Sequence, residues 1–132
     1  MAPILDTSVL INIVKGDEKT RTFLETHQKE AARLTVINRY EFLRGIYSTF
    51  PPGSKRDSLI GFLNQFKIYE FTAKTAQYCA EVYQKLKTNG SLINEMDILI
   101  LGICEENGES IITSDQDFVN AAKITGTRIN FV

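Results

Sequence analysis

Short, mostly apolar runs alternate along the chain with longer stretches in which apolar residues recur at helical spacing. The short runs are mostly continuous rather than strictly alternating, which is typical of strands buried on both faces. They are PILD, RLTVI, KIYEF, SIIT and RINFV. The helical stretches are TSVLINIVK, residues 18–28, NRYEFLRGIYSTF from Asn38, a segment around residues 59–66, residues 73–88, NEMDILILGICEEN and DQDFVNAAK. The pattern predicts five strands and seven helices.

Strands that alternate with helices predict a parallel sheet with helices on both of its faces. A length of 132 residues lies within the usual size of one domain. No repeat, linker or low-complexity segment divides the chain. We therefore expect residues 1–132 to form one α/β domain.

The cysteines, the single histidine and the apolar runs argue against several kinds of site. Cys79 and Cys104 lie in apolar helical patterns, which favours buried thiols over a disulfide. His27 lies in the polar stretch ETHQKE and is expected at the surface, so a zinc site and a Ser-His-Asp triad have little to use. No signal peptide pattern opens the chain, and ILILGIC is too short to span a bilayer. We expect no membrane association and a cytoplasmic location.

Acidic side chains dominate the last third of the chain. Residues 88–132 contain seven acidic residues, whereas their basic residues are only Lys123 and Arg128. No basic residue occurs between Lys87 and Lys123. Acidic groups in this region therefore lack basic partners close in sequence.

Five acidic residues fall where predicted strands end or predicted helices begin. In an open parallel sheet, the helices that follow a strand, and those that lead directly into the next one, begin at the carboxyl edge, where sites in such folds lie. The first acid ends a strand, the next two lie in the first turns of helices, and the last two follow the fourth strand. They are Asp6, Glu41, Asp97, Asp115 and Asp117. We expect these five carboxylates to converge at one edge.

Helix capping explains several of these positions separately. Three pairs have the spacing of a capping box: Asn38 with Glu41, Asn94 with Asp97, and Ser114 with Asp117. Asp6 has a local alternative too, a turn with the amides of Thr7 and Ser8. Capping does not explain why the edge lacks basic partners. Carboxylates that lie close together raise one another's pKa unless a cation lies among them.

A divalent metal ion is the simplest such cation. Oxygen ligands without His or Cys favour Mg2+ or Mn2+, which keep several waters and bind a few carboxylates plus substrate phosphate. Such an ion activates water and stabilises displacement at phosphorus, so the predicted chemistry is phosphodiester hydrolysis. Basic and aromatic side chains elsewhere could contact the phosphates and bases of a nucleic acid. The candidates are Lys15, Arg39, Arg44, Lys85, Lys87, Tyr40 and Tyr47.

Four motifs, in this order and spacing, resemble those of PIN-domain ribonucleases, and most closely the VapC-type toxins of VapBC toxin–antitoxin pairs. They are LDTSVLI with Asp6, YEFLRG with Glu41 and Gly45, the apolar helix opened by Asp97, and IITSDQDF with Asp115 and Asp117. The resemblance covers essentially the whole chain. It implies a three-layer α/β/α sandwich with a five-stranded parallel sheet, and a metal-dependent endoribonuclease that uses Mg2+ or Mn2+.

The resemblance also implies residue roles and partners. The implied catalytic acids are Asp6, Glu41, Asp97 and Asp115, and the implied metal ligands are Asp6, Asp97, Asp115 and Asp117. Ser8 and Thr113 match positions whose hydroxyls support the metal site. Glu95 lies two residues before Asp97, and we prefer Asp97 as the inward-facing acid. Family members form homodimers, bind a cognate antitoxin whose tail covers the active-site groove, and cut transfer or ribosomal RNA.

Other functions stay open alongside this one. A haloacid-type phosphatase would need a second Asp where Ser8 stands, and a response receiver an Asp where Phe71 and Thr72 end the third predicted strand. No glycine-rich turn follows the first strand, which argues against dinucleotide binding. A housekeeping RNA-processing nuclease and a catalytically silent RNA- or partner-binding module stay alternatives. The candidate dimer surfaces are the face of residues 59–66 and the helix around Tyr83.

Overall fold

The computed structural model of the protein describes residues 2–26 and 32–132. These residues form five strands and seven helices. The strands are β1 (Ile4–Leu5), β2 (Arg33–Thr35), β3 (Lys67–Tyr69), β4 (Ile111–Thr113) and β5 (Ile129–Phe131). The helices are α1 (Thr7–Val14), α2 (Glu18–Thr26), α3 (Val36–Thr49), α4 (Ser54–Leu63), α5 (Ala73–Thr88), α6 (Glu95–Asn107) and α7 (Gln116–Thr125).

The five strands form one sheet in the order β3-β2-β1-β4-β5, and every neighbouring pair is parallel. This confirms the predicted parallel sheet. The chain winds outward from β1 in one direction through β2 and β3, and in the other through β4 and β5. Ligands of open parallel sheets bind beyond the carboxyl ends of the strands where this direction changes. In this sheet that position lies between β1 and β4.

Apolar clusters cover both faces of the sheet. Residues adjacent in a strand point to opposite faces, so Ile4 belongs to one cluster and Leu5 to the other. The first cluster includes side chains of α5, α6 and α7, and the second includes side chains of α1, α3 and α4. The chain therefore forms the three layers of the α/β/α sandwich, and the central strands β1 and β4 are apolar because each contributes to both clusters. That residues 1–132 make one domain stays a prediction.

Helix α3 begins two residues earlier than the sequence pattern predicts. The β-branched residues Val36 and Ile37 favour a strand locally, but they form the first turn of α3. The start is fixed by a capping box, in which Thr35 Oγ1 accepts from the N–H of Asn38 and Asn38 Oδ1 accepts from the N–H of Thr35. The predicted pairing of Asn38 with Glu41 is therefore wrong, and Glu41 lies in the second turn of α3.

Two other predicted boundaries also differ. The third strand ends at Tyr69, and Thr72 instead caps α5 through the N–H of Thr75. Asp115, and not Ser114, caps α7. The Asn94 cap of α6 is as predicted, since its side chain accepts from the N–H of Asp97. The predicted end of the second helix and the surface position of His27 lie outside the described residues.

Helices α5 and α6 pack as an antiparallel pair. Near the start of α5, Thr75 Oγ1 donates to Glu106 Oε1 near the end of α6, at 2.6 Å. The end of α5 therefore lies beside the start of α6, which explains how the chain returns to the carboxyl edge before Asp97. Cys79 and Cys104 are buried free thiols, as predicted. In the described part of the chain, no helix has the length and apolar character needed to cross a bilayer.

The two surfaces considered for a dimer largely serve the core of the chain. Leu59 and Leu63 are buried in the cluster beneath α4, and Phe62 and Phe66 pack against that cluster. Tyr83 packs against the opposite cluster. Neither surface is a free apolar face, so neither is identified as a dimer interface.

The close crossing of α5 and α6 depends on a glycine. A Cβ atom at Gly102 would overlap Cys79 Sγ and lie 2.9 Å from Cys79 Cα. We expect Gly102→Ala to lower the free energy of unfolding by about 1 to 3 kcal/mol, because the helices must separate. The matched control Gly61→Ala adds the same methyl group at a helical position with no atom within 4 Å, and should stabilise α4 by about 0.5 to 1 kcal/mol. Urea denaturation measures both, and equal effects would contradict the close crossing.

Candidate active site at the carboxyl edge of the sheet

Asp6 is a buried carboxylate at the end of β1. Its side chain is 4% exposed. Oδ1 accepts a hydrogen bond from the N–H of Thr7 at 2.8 Å, which caps α1. Oδ2 accepts from Ser8 Oγ at 3.0 Å and from Thr113 Oγ1 at 2.8 Å. Asp6 therefore binds the amide of Thr7, as the local alternative predicts, but it binds the hydroxyl of Ser8 rather than its amide, and it also contacts the neighbouring strand.

Two hydroxyl groups join the ends of β1 and β4. Thr113 Oγ1 donates to Asp6 and accepts from the N–H of Asp115 at 2.9 Å. Ser8 Oγ donates to Asp6 and accepts from the N–H of Ser114 at 3.3 Å. Each hydroxyl thus uses its single hydrogen on the same carboxylate oxygen. The structure places Ser8 and Thr113 beside Asp6, where they orient its carboxylate and hold Asp115 next to it.

Glu41 reaches this edge from the second turn of α3. Thr7 Oγ1 donates to Glu41 Oε1 at 3.0 Å, and Asn38 Nδ2 donates to Thr7 Oγ1 at 3.1 Å. Neither Thr7 nor Asn38 is predicted from the sequence to belong to the site. The motif LDTS contains Thr7, but its position beside Glu41 depends on how α1 packs against α3. The spacing to Glu41 predicts Asn38 as the N-cap of α3, whereas in the structure it is the third residue of the helix. Its side chain can contact Thr7 only from that position.

Asp97 lies among the other acids, in the first turn of α6. Its side chain is half-buried. Burial raises the pKa of Asp97 to about 7, and the nearby negative charges of Asp6, Glu41, Asp115 and Asp117 contribute to the increase. Glu95, in the same helical turn, is exposed. The structure therefore brings Asp97, rather than Glu95, to the other acids.

Among the described residues, no basic side chain forms an ion pair with the acids at this edge. Burial raises the pKa of Asp6 above its usual value, against the lowering effect of its hydrogen bonds, and the charge of Asp115 raises it further. Within residues 2–26 and 32–132, the ion pairs closer than 4 Å are those of Arg21 with Glu18 and Glu25 on α2. Asp117 is exposed at the rim, and its N–H donates to Asp115 Oδ1 at 2.9 Å.

A hydrated divalent cation suits these groups better than a fully protein-coordinated ion. Among the described residues, no three Asp, Glu, His or Cys side chains are grouped closely enough to hold a metal ion directly. Mg2+ takes one or two carboxylates, keeps several waters and completes its shell with substrate phosphate, so it needs no such group. The donors at this edge are carboxylate and hydroxyl oxygens, which are the ligands this ion prefers.

The basic and aromatic residues predicted to contact nucleic acid occupy different settings. Arg39 Nη2 donates to Asn64 Oδ1 at 2.9 Å, so Arg39 is engaged within the fold. Arg44 lies 5.2 Å from the ring centre of Tyr40, and both side chains are exposed. Lys15, Tyr47, Lys85 and Lys87 are also exposed. Lys85 and Lys87 lie in the last turn of α5, which adjoins the start of α6.

An apolar groove adjoins the acidic edge on the side of α1, α3 and α4. Its volume is about 320 Å3. The lining residues are Thr7, Ile11, Val14, Lys15, Glu41, Phe42, Gly45, Ile46, Thr49, Phe50 and Leu59. Because Thr7 and Glu41 belong to both regions, the groove opens directly beside the carboxylates. The hydrophobic pattern did not predict it, since its residues read as ordinary core positions of separate helices.

A match to a model of a known protein family identifies the family of this chain. The family model described as "PIN domain" matches residues 4–124. The chain belongs to the PIN domain family. A comparison of its sequence with functionally characterised proteins gave no significant match. The resemblance to PIN domains inferred from the four motifs is thereby confirmed, and the acids of this PIN domain lie within the matched residues.

Solved structures share the fold of this PIN domain over nearly its whole length. VapBC2 from Rickettsia felis, bound to a DNA fragment from its promoter, is similar with a TM-score of 0.84 and 20% identity, covering 99% of this chain and 98% of that one. DNA-bound VapBC from Salmonella typhimurium has a TM-score of 0.82 and 19% identity, covering 99% and 98%. FitAcB from Neisseria gonorrhoeae has a TM-score of 0.78 and 22% identity, covering 98% and 96%. At these identities the likeness concerns the fold.

The raised pKa of Asp97 predicts a stability that depends on pH. The folded PIN domain binds this proton more tightly than the unfolded chain, so the metal-free protein should lose stability as pH rises from the usual value of 3.8 to about 7. Asp97→Asn should remove that loss. One pKa unit corresponds to about 1.4 kcal/mol, and solvent screening reduces the effect for a half-buried group, so we expect a gain of about 1 to 2 kcal/mol at pH 8 and little change at pH 4.

Glu95→Gln is the matched control for this prediction. It removes one negative charge from the same turn of α6, but from an exposed side chain. It should therefore not stabilise the protein at pH 8. Thermal or urea unfolding in EDTA measures both variants. An equal gain from Glu95→Gln would show that the helix terminus, and not the group of acids, causes the effect.

Proposed function

We propose that the chain is an endoribonuclease that depends on Mg2+ or Mn2+ and acts as the toxin of a toxin–antitoxin pair. The observation that carries this proposal is the convergence of acids at the β1–β4 switch point without a basic partner among the described residues. The acids are Asp6, Glu41, Asp97 and Asp115. Crowded carboxylates of this kind are costly unless a cation joins them. Membership of the PIN family supports nuclease chemistry.

In this proposal, Asp6, Asp97 and Asp115 would hold a hydrated metal ion, in part through its water molecules, and Asp117 would bind at the outer side. The bound ion would lower the pKa of a water molecule and stabilise negative charge on the phosphate. Ser8 and Thr113 hold the Asp6 carboxylate so that its charged oxygens stay oriented toward the edge. The Thr7 hydroxyl donates a hydrogen bond to Oε1 of Glu41. Oε2 would then accept a proton from the attacking water.

The RNA would cross the carboxyl edge between two exposed groups of basic residues. On one side lies the stacked pair of Arg44 and Tyr40, with Lys15 on α1. On the other lie Lys85 and Lys87 at the end of α5. Lysine and arginine bind backbone phosphates, and tyrosine stacks on bases. Arg39 contributes less directly, because it is already bound to Asn64. Transfer or ribosomal RNA in the cytoplasm is the proposed substrate class.

The proposed partner is an antitoxin with an apolar segment that fills the groove beside Glu41. Similar structures are those of VapBC complexes and of a toxin–antitoxin complex. The groove of this chain exposes Ile11 and Val14 on α1 and adjoins the acidic edge. A segment bound there would lie close enough to obstruct RNA. We also propose that the chain forms a homodimer.

Cleavage by purified protein tests the enzymatic part of this proposal. RNA should be cut with Mg2+ or Mn2+ and stay intact with EDTA. Asp6→Asn should reduce the cleavage rate by roughly a hundredfold or more, since even the partners of metal ligands contribute about ten- to a hundredfold. Gel electrophoresis of labelled transfer and ribosomal RNA measures the rate.

Asp17→Asn is the matched control for Asp6→Asn. Asp17 also accepts hydrogen bonds at the start of a helix, from N and Oγ1 of Thr20, but it lies away from the other acids. It should leave cleavage unchanged. If Asp6→Asn cleaves at the normal rate, the activity belongs to another site or a contaminant. If wild-type protein binds RNA but never cleaves it, the chain is a binding module.

Partner binding tests the groove. Ile11 is 42% exposed and lines the groove, so Ile11→Glu places a charge where an apolar segment would bind. We expect the affinity for the antitoxin to fall roughly tenfold or more, which is the cost of losing a central interface contact, while RNA cleavage stays unchanged. Isothermal titration with the protein from an adjacent small reading frame measures the affinity. Phe131→Glu on β5, at a 50% exposed residue outside the groove, is the control, and an equal loss there would reject the groove as the interface.

A further inference from the structure

A chain of hydrogen bonds runs from the start of α3 to the carboxylate of Glu41. The N–H of Thr35 donates to Asn38 Oδ1 at 3.2 Å, and the Thr35 hydroxyl donates to the same oxygen at 2.7 Å. Asn38 Nδ2 donates to Thr7 Oγ1 at 3.1 Å. Thr7 Oγ1 donates to Glu41 Oε1 at 3.0 Å. The chain connects β2, α1 and α3 and ends at one of the converging acids.

The direction of every bond in this chain is fixed by the one before it. A backbone N–H can only donate, so the atom of Asn38 that faces Thr35 must be the oxygen. The amide nitrogen of Asn38 then faces Thr7 and donates to its hydroxyl. That hydroxyl accepts from Asn38 with one of its lone pairs, and it directs its single hydrogen to Glu41, whose carboxylate can only accept. Asn38 is fully buried, so no exchange with bulk water competes with these bonds.

Glu41 needs such a contact if its carboxylate is to keep one position. Its backbone lies in the second turn of α3, and its side chain is only half-buried. Glutamate loses about 1.5 to 2 kcal/mol of rotamer entropy when it is fixed. Among the described residues, Thr7 is its only hydrogen-bond partner. Repulsion from the neighbouring acids would otherwise favour conformers that turn away toward solvent.

We propose that Asn38 and Thr7 are positioning residues that act in series to hold the Glu41 carboxylate toward the other acids. The consequence for metal binding rests on the proposed function, whereas the effect on the Glu41 side chain does not. The capping box of α3 therefore has two roles, because the Asn38 side chain that completes it also orients the hydroxyl of Thr7. Loss of either residue should release Glu41 and weaken the site.

The start of α5 provides a matched control. It carries another capping box, in which the N–H of Thr72 donates to Thr75 Oγ1, and Thr75 Oγ1 in turn donates to Glu106 Oε1. Thr75 is fully buried, like Asn38. Thr75→Val thus removes a buried cap group and its bond to a glutamate at a place away from the acidic edge. Any effect common to Thr75→Val and Asn38→Ala comes from general loss of stability.

The experiment compares Thr7→Val, Thr7→Ser, Asn38→Ala, the double variant Thr7→Val with Asn38→Ala, and Thr75→Val. Side-chain NMR of the metal-free protein, with labelled glutamate, reports how many rotamers Glu41 samples. Titration of the protein with Mn2+, followed by the EPR signal of free Mn2+, gives the dissociation constant. We expect Thr7→Val and Asn38→Ala to average the Glu41 rotamers. We also expect them to raise the Mn2+ dissociation constant roughly ten- to a hundredfold, the usual effect of losing an outer-shell partner of a metal site, because Glu41 would no longer accept a hydrogen bond from water on the ion.

Three further results are expected if the two residues act in series. Thr7→Ser, which keeps the hydroxyl, should resemble wild type. The double variant should be no worse than the more affected single variant, because breaking either bond frees Glu41. Thr75→Val should leave both the Glu41 rotamers and the Mn2+ affinity unchanged.

The proposal is overturned if Glu41 keeps one rotamer in Thr7→Val, or if the effects of the two substitutions multiply. A wild-type protein that binds no Mn2+ would refute the proposed function and the metal-binding consequence together. Even then, the rotamers of Glu41 in the metal-free protein decide whether Asn38 and Thr7 hold the side chain. If Asn38→Ala does not fold, the comparison of Thr7→Val with Thr7→Ser still shows whether the Thr7 hydroxyl holds the Glu41 side chain.

Discussion

The buried carboxylate of Asp6 is the constraint around which the carboxyl edge is built. A charged group that loses water must regain its hydrogen bonds or a counter-charge. The chain supplies the hydrogen bonds through Thr7, Ser8 and Thr113, but no basic side chain in its described part supplies a counter-charge. The same edge instead brings Asp97 and Asp115 near Asp6. The hydrogen bonding of the Asp6 carboxylate is therefore satisfied, whereas the negative charge at this edge has no basic partner among the described residues.

The sheet order produces this arrangement. Asp6 follows β1 and Thr113 ends β4, and these strands are neighbours although 107 positions separate the two residues. After β1 the chain enters α1 on one face of the sheet, and after β4 it enters α7 on the other, which in open parallel sheets leaves a crevice between the strand ends. The hydroxyls of Ser8 and Thr113 fill the narrow space that remains. Function and topology are linked here, since only this order of strands puts Asp6 beside the residues that follow β4.

The parallel sheet and the convergence of the acids could be predicted, because both follow from periodicity and from the geometry of strands alternating with helices. The start of α3 could not, because the capping box of Thr35 with Asn38 overrides the strand preference of Val36 and Ile37. A shift of two residues was enough to move Glu41 from the first turn to the second. Sequence patterns predict the presence of a helix well but its first residue poorly, because several residues within one turn could serve as the N-cap.

The contacts that cross between elements were the other part that the sequence did not reveal. Thr7 meets Glu41 only because α1 packs against α3, and the apolar groove exists only between helices whose patterns each predict buried core. The return of the chain by the antiparallel pair of α5 and α6 depends on the close approach at Gly102. Each of these features is a relation between two segments, and periodicity describes one segment at a time.

The packing of α6 explains why the repulsion among the acids cannot be relieved by movement. Asp97 precedes Ile98, Ile100 and Leu101, which are almost completely buried in the cluster beneath the helix. A rotation or shift that carried Asp97 away from Asp6 would expose these side chains, at about 1.5 to 3 kcal/mol for each. That cost exceeds what a half-buried charge gains by moving into solvent. Protonation of Asp97 or the arrival of a cation therefore requires less free energy than rearrangement, and the helix keeps its acid at the edge.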